Sequence, residues 1–325
     1  MVQEISQDLF CIEVPLPNSP LKYLNSYVVR APDRSLIIDT GLNSKVCLEA
    51  MENGLDTLGV DLANADIFIT HFHADHFSLV PKLKKPTTQI FFNRPETELM
   101  ENWQGFGEML ENAGRHGIPR DRLKSMLEAH PGSKFGADWA PELKVLSEGQ
   151  TLNYGDYTFT CVETPGHTLG HICLYEAKRK IFVSGDHVLI DITPNIQCWT
   201  DHENPLKQYM ESLEKVRHLD VTLVLPGHRR RFSDLESRID ELISHHEKRL
   251  DEVRDILDSG PLNAFETASR MTWDIKADRW EDFPVAQQWF ATGEALSHLR
   301  YLEENGEIVR QSTGAHIQFA LSITD

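Results

Sequence analysis

An α/β layered fold is what the sequence predicts, and three observations predict it. Short apolar, β-branched stretches alternate with helical ones in both halves of residues 8–225. Helical periodicity interrupts that alternation once, over 94–130. After about residue 234 the strand patterns give way to long charged helices, so a second domain is expected over 235–325, following a first over 1–234.

The elements follow in order. Residues 8–16 (DLFCIEVPL), 26–30 (SYVVR) and 35–38 (SLII) read as strands, punctuated by Pro17-Asn18 and Pro32-Asp33. Residues 43–58 read as a helix capped by Asn43 or Ser44. The stretch 66–70 (DIFIT) is a buried strand running directly into a histidine-rich segment. Over 94–130 the residues Met100, Trp103, Phe106, Met109 and Leu110, then Leu123, Met126 and Leu127, fall at helical spacing. Strands return from 143 to 186 (KVL, YTFTCVET, HICLYEA, KIFVSGD), with a Gly155-Asp156 turn. A helix over 204–218 precedes the buried strand 221–225 (VTLVL). The second domain reads as a helix over 235–258 ending at Ser259-Gly260-Pro261, then helical patterns near 263–272 and 284–304. Pro284 starts the last of these and Asn305-Gly306 stops it. Two short strands then bracket Ser312-Thr313-Gly314; three helices and a two-stranded ribbon look like a winged helix.

Composition narrows the class. With 325 residues, 40% of them hydrophobic, the chain can bury a sizeable core. Its 32 Lys and Arg against 50 Asp and Glu give a formal charge of −18, which counts against nucleic acid or an anionic membrane as partner. The five cysteines form no C-x-x-C pair and are expected as reduced thiols. The segment MVQEISQDLF lacks the basic and apolar regions of a signal peptide, and no run approaches the roughly 18 apolar residues of a membrane span. A cytoplasmic protein is expected.

The chemistry is concentrated in Thr70-His71-Phe72-His73-Ala74-Asp75-His76, where three imidazoles and a carboxylate lie within six residues. On an extended strand His71 and His73 share a side, because side chains alternate. A turn after them would aim Asp75 and His76 at a second point nearby. Imidazole with carboxylate is a donor set for Zn, and equally for Fe or Mn. A closed structural zinc site is disfavoured because no cysteine lies in the segment. Three further motifs sit at strand ends: Thr164-Pro165-Gly166-His167-Thr168, Ser184-Gly185-Asp186-His187 and Leu225-Pro226-Gly227-His228. Each alone reads as a turn; together with the first, and in this order, they point to one site.

In that order and kind the motifs resemble those of the metallo-β-lactamase superfamily, over roughly residues 10–230. The resemblance implies a four-layered αββα sandwich with its site at one edge between the sheets. It implies a first metal held by His71, His73 and His167, a second by Asp75, His76 and His228, and Asp186 bridging them. Zinc is the expected ion of both sites, with Fe and Mn compatible. Two divalent cations against two carboxylates favour a bound hydroxide as nucleophile. Asp75 is the candidate catalytic residue, orienting that hydroxide and carrying its proton to the leaving group.

Within the superfamily the sequence is similar to the subgroup that couples the hydrolase domain to a C-terminal winged helix, including proteins similar to glyoxalase II and to the mitochondrial-type β-lactamase-like protein. The expected function is therefore hydrolysis of a small ester, thioester or lactone. True β-lactamase activity is disfavoured by the lack of a secretion signal. A phosphodiesterase or ribonuclease is opposed by the acidic surface. A mononuclear-iron enzyme similar to persulfide dioxygenases is opposed by His76 and His228, which would complete a second site. A winged-helix regulator carrying a degenerate hydrolase domain is opposed by the full ligand set.

Other residues carry weaker expectations. His187, next to Asp186, either backs a metal ligand, faces the substrate, or is a loop histidine with an ordinary hydrogen-bond partner. One of Arg229, Arg230 and Arg231 could anchor an acidic substrate group, although pairing with surface carboxylates is the plainer reading. The helical insertion over 94–130 is a candidate lid, or simply core. Tyr23 and Asn25 resemble a loop that approaches the site. Residues 238–325 hold nine basic against seventeen acidic residues, so packing, pocket shaping or homodimer formation is expected of them rather than DNA binding.

Overall fold

Two sheets collect the strand patterns of the first 230 residues in the computed structural model, which describes residues 1–103, 105–135, 142–200, 202–314 and 316–322, the side chain of Thr313 excepted. The chain divides into two compact units. One comprises 1–103, 135–194 and 212–239; the other comprises 104–134, 195–211 and 240–325.

In the first unit, seven strands form one sheet in sequence order: β1 (Val2–Ser6), β2 (Leu9–Pro15), β3 (Tyr23–Val29), β4 (Ser35–Ile38), β5 (Ala65–Phe68), β6 (Ile90–Asn93) and β7 (Leu143–Leu146). The first four pair antiparallel and the rest parallel. The second sheet, in the order β12-β11-β10-β9-β8, uses β8 (Thr151–Tyr154), β9 (Tyr157–Glu163), β10 (Ile172–Glu176), β11 (Ile181–Gly185) and β12 (Leu223–Pro226). Strand alternation then decides the layering. Leu9, Cys11, Tyr27, Val29, Leu36, Ile38 and Phe68 of the first sheet share one core with Phe159, Cys161, Leu174, Val183 and Leu225 of the second. The opposite face of the first sheet, with Ile12, Val28, Ile37 and Ile67, is covered by Cys47, Met51, Leu55 and Leu58 of the helix Lys45–Leu58. At the end of β9, Ser212 Oγ donates to Pro165 O and Lys215 Nζ to Glu163 O, fastening the end of the helix Pro205–Arg217 there. One helix and two facing sheets are thus packed as expected of a layered α/β fold.

Some boundaries differ from the sequence reading for local reasons. Ser44 caps the first helix by accepting from Cys47 N, so Asn43 stands outside it. Strand β1 is mostly polar and half-exposed, and β6 has four residues; neither gives a readable period. The strand expected over 66–70 ends at Phe68, so His71 and His73 lie beyond any strand.

In the second unit the helices Gly107–Arg115 and Arg120–Ala129 pack Ala113, Ile118 and Met126 against Trp199 and Trp289, whose rings stack at 4.2 Å. The helices Leu235–Leu257, Ala264–Ala268 and Val285–Glu304 precede an antiparallel ribbon of β13 (Ile308–Thr313) and β14 (His316–Leu321). The expected 263–272 helix is thus shorter, opened by an Asn263–Glu266 capping box. Pro284 caps the long helix rather than starting it. Among the described residues no helix is long and apolar enough to cross a membrane.

Candidate metal centre

Four stretches leave strand ends at one edge of the first unit and converge. Beyond β5 the chain bends through His71, Phe72 and His73, and the short helix Ala74–Phe77 then carries Asp75 and His76. His167 follows β9, Asp186 follows β11 and His228 follows β12. All seven side chains singled out from the sequence meet. Their ligand-capable atoms form three sets, each within 4.8 Å: His71, His73 and His167; His71, His76 and Asp186; Asp75, His76 and His228.

The separations have the scale of a coordination shell. His73 Nδ1 lies 3.0 Å from both His71 Nε2 and His167 Nε2. Donors about 2.1 Å from one zinc would stand about 3.4 Å apart at tetrahedral angles. Asp186 lies between the groups, with Oδ1 3.6 Å from His76 Nε2, and Oδ2 3.7 Å from His167 Nε2 and 3.5 Å from His228 Nε2. Asp75 Oδ2 is 3.4 Å from His228 Nε2. Buried polar atoms ordinarily find hydrogen-bond partners. Here His76 Nε2, His228 Nε2 and Asp186 Oδ1 have none among the described residues. An electron-pair acceptor between them would satisfy all three, so the donor set fits divalent cations.

The far sides of His71, His76 and His228 are fixed by the fold, which sets their tautomers. His76 Nδ1 donates to Asp39 Oδ2 at 2.7 Å, and His228 Nδ1 to Tyr23 O at 2.8 Å, leaving both Nε2 atoms turned inward. Thr70 Oγ1 donates to Asp39 Oδ2 at 2.8 Å and accepts from His71 Nδ1 at 2.9 Å. Asn25, within β3 rather than before it, donates through Nδ2 to Pro226 O and Arg229 O, clamping the His228 turn. Two glycines make room. Gly185 adopts φ +49, and a Cβ on Gly227 would stand 2.5 Å from Asp186 Oδ1.

Charge is distributed unevenly over the seven. Burial, reinforced by neighbouring imidazoles, holds His71 well below the ordinary histidine range and His73 at about 3. Burial also opposes charge on His76 and His228. The carboxylates override it, Asp39 and Asp186 lifting His76, and Asp186 with Asp75 lifting His228 to about 10. In return, and against burial, the two imidazoles hold Asp75 and Asp186 below the usual carboxylate range. Cations are thus electrostatically welcome on the side where carboxylates concentrate.

The metallo-beta-lactamase superfamily profile matches residues 21–228, the span that holds every one of these groups. The chain belongs to the metallo-β-lactamase superfamily. Among its relatives is the "probable metallo-hydrolase YqjP" of Bacillus subtilis, 26% identical over 330 residues that cover 97% of this chain and 98% of that protein. A crystal structure of a metallo-beta-lactamase family protein from Thermus thermophilus matches with TM-score 0.82 and 26% identity, covering 98% of this chain and all of that one. A beta-lactamase domain protein from Burkholderia ambifaria matches with TM-score 0.80 and 27% identity, covering 99% and 95%. Similarity to the relative and to both structures therefore extends through the second unit, beyond the superfamily profile.

The remaining residues fall more plainly. His187 is fully buried and held by the Ser212 backbone. Among the described residues Arg230 pairs with Asp191, while Arg231 donates to Gln3 and Arg229 to Pro20 O. Asp39, Thr70 and His171 escaped the sequence reading. A left-handed backbone at Asp39 (φ 59) is a structural signal that no local pattern announces.

Proposed function

We propose that the protein is a dinuclear metal-dependent hydrolase acting on a small ester, thioester or lactone. The convergence of His71, His73, Asp75, His76, His167, Asp186 and His228 carries this reading. We read His71, His73 and His167 as one site, Asp75, His76 and His228 as the other, and Asp186 as shared, with zinc as the ion. A bound pair of divalent cations supplies Lewis acidity and brings the pKa of water towards about 7.

The protein's own residues do the rest. The inward Nε2 atoms of His71, His76, His167 and His228 and Nδ1 of His73 hold the centre, while Thr70, Asp39 and Tyr23 occupy the outer nitrogens of His71, His76 and His228. Asp75 is the more solvent-accessible of the two carboxylates in the centre, its side chain 18% exposed. It is placed to orient a water through one oxygen and deliver its proton to the departing alkoxide, thiolate or hydroxyl. The second unit, with three helices and a ribbon, is read as winged-helix-like, with packing, pocket shaping or dimer formation as its role. Small molecules rather than nucleic acids are the proposed partners, and the cytoplasm the proposed location.

The test is metal-quantified protein assayed against thioester, ester, lactone, β-lactam and phosphodiester substrates. Two divalent ions per chain with acyl-ester or thioester turnover fit the reading. Turnover confined to the phosphodiester, or one iron per chain with oxygen consumption, overturns it. An Asp75→Ala protein with full metal content and undiminished turnover removes Asp75 from its assigned role.

A further inference from the structure

His171 belongs to none of the seven, yet its ring lies fully buried beneath them. It stacks on His71 at a centroid distance of 5.1 Å and lies 6.2 Å from the ring of His167. Its Nε2 accepts the backbone N–H of Asp186 at 3.1 Å. An amide N–H can only donate, so Nε2 carries no proton and the neutral ring keeps its hydrogen on Nδ1. That Nδ1–H donates to Thr164 Oγ1 at 2.8 Å. The backbone of the residue is tied as firmly: Thr164 N donates to His171 O, and Ile172 N to Thr70 O, both at 2.9 Å. A Cβ on Gly185 would stand 2.7 Å from Nε2, so the chain reaches Asp186 by crossing directly over this nitrogen.

We infer that His171 is a positioning residue for Asp186: its unprotonated Nε2 pins the Asp186 amide and so sets the carboxylate between the two groups of imidazoles. The inference rests on reading the seven residues as a two-metal centre with Asp186 shared. Removing the acceptor orphans a buried amide and loosens the Gly185–Asp186 turn. What suffers is the shared carboxylate, while the imidazoles keep their own supports. Gln at this position carries a side-chain oxygen near the place of Nε2, whereas Leu fills volume without an acceptor. Thr164→Val acts one step further out, leaving the ring intact but freeing its tautomer.

Cobalt(II) serves as the probe, read by visible absorption, stoichiometry and chelator competition on full-length protein, with thermal melting of each variant as the folding control. The wild type should take up two Co(II) per chain. His171→Leu should bind them about 10- to 100-fold more weakly, the scale of losses when a group behind a ligand is removed, with an altered absorption spectrum. His171→Gln should restore the wild-type spectrum and most of the affinity, and Thr164→Val should fall between. A folded His171→Leu with wild-type spectrum and affinity for both ions overturns the inference. If that variant does not fold, Thr164→Val indistinguishable from wild type overturns it instead. A wild-type protein taking up no Co(II) sinks the two-metal reading itself, a different failure from two ions bound equally well with and without His171.

Discussion

The carboxylate of Asp39 holds His76 directly, at 2.7 Å from Nδ1, and holds His71 at one remove through the hydroxyl of Thr70. One buried side chain therefore sets the tautomers of two imidazoles that between them belong to all three donor sets. Asp39→Asn keeps the size but can present N–H where His76 needs an acceptor. The imidazole would then carry its proton on Nε2, where it cannot ligate. Metal affinity should fall about 10- to 100-fold, and the unloaded protein should melt lower as well because a buried charged pair loses one partner. Chelator competition measures it, and an unchanged affinity would remove Asp39 from this role.

Gly227→Ala tests the tightness of the centre without straining the backbone. The new methyl would stand 2.5 Å from Asp186 Oδ1 and 2.9 Å from His76 Cε1, both ends of side chains that can move. The fold should absorb the change at a cost of about 1–3 kcal/mol. The centre should not, because those two groups are the ones displaced. The expected outcome is folded protein with at least a tenfold loss of metal affinity; wild-type affinity would show that the site has slack here.

Asn25→Ala should act on one side of the centre. Asn25 Nδ2 serves two carbonyls flanking His228, Pro226 O at 3.0 Å and Arg229 O at 2.8 Å. Pro226 O keeps the Tyr27 hydroxyl at 2.7 Å, but Arg229 O loses its side-chain partner at a cost of about 1–3 kcal/mol, and the His228 turn is where that cost is relieved. Metal titration should become biphasic, with one equivalent weakened and the other retained. Equal weakening of both equivalents, or of neither, contradicts this division.

The donors of the centre were legible because the chain groups them in short motifs at strand ends, where residue type and spacing suffice. Their supports were not. Asp39 lies 37 positions before His76 and reads as an ordinary acidic residue after a strand, while His171 reads as the polar first residue of the strand HICLYEA. Both gain meaning only from contacts across the fold. Helical periodicity over 94–130 was equally partial. It marked Met100, Met109, Leu123 and Met126 as apolar-facing alike, yet Met100 joins the core behind the first sheet and the others join Trp199 and Trp289. Trp103, on the same stripe, is 40% exposed. A period tells which face is apolar, not what will cover it.

The second unit should be acid-sensitive for a reason independent of any metal. His298 is fully buried in the helix Val285–Glu304, where Nδ1 donates to Glu294 O at 2.8 Å and Nε2 accepts from His246 Nδ1 at 3.2 Å. Burial pushes His298 down to about 3, and burial together with His298 lowers His246 as well. Arg249 and His245 nearby add to the penalty on a positive charge. Since the unfolded chain takes its protons first, stability is complete above about pH 6.5 and drains away as pH falls towards 3. By pH 5 the loss from His298 alone is about 2 kcal/mol, 1.5 pH units at about 1.4 kcal/mol each. The buried Glu294 carboxyl, raised by its own desolvation, pulls the other way, but it does so equally in wild type and in a His298→Gln variant. Thermal melts between pH 7 and 5 should therefore fall less steeply for His298→Gln than for wild type, by up to one proton's worth of slope. Parallel curves would place the acid sensitivity in other histidines.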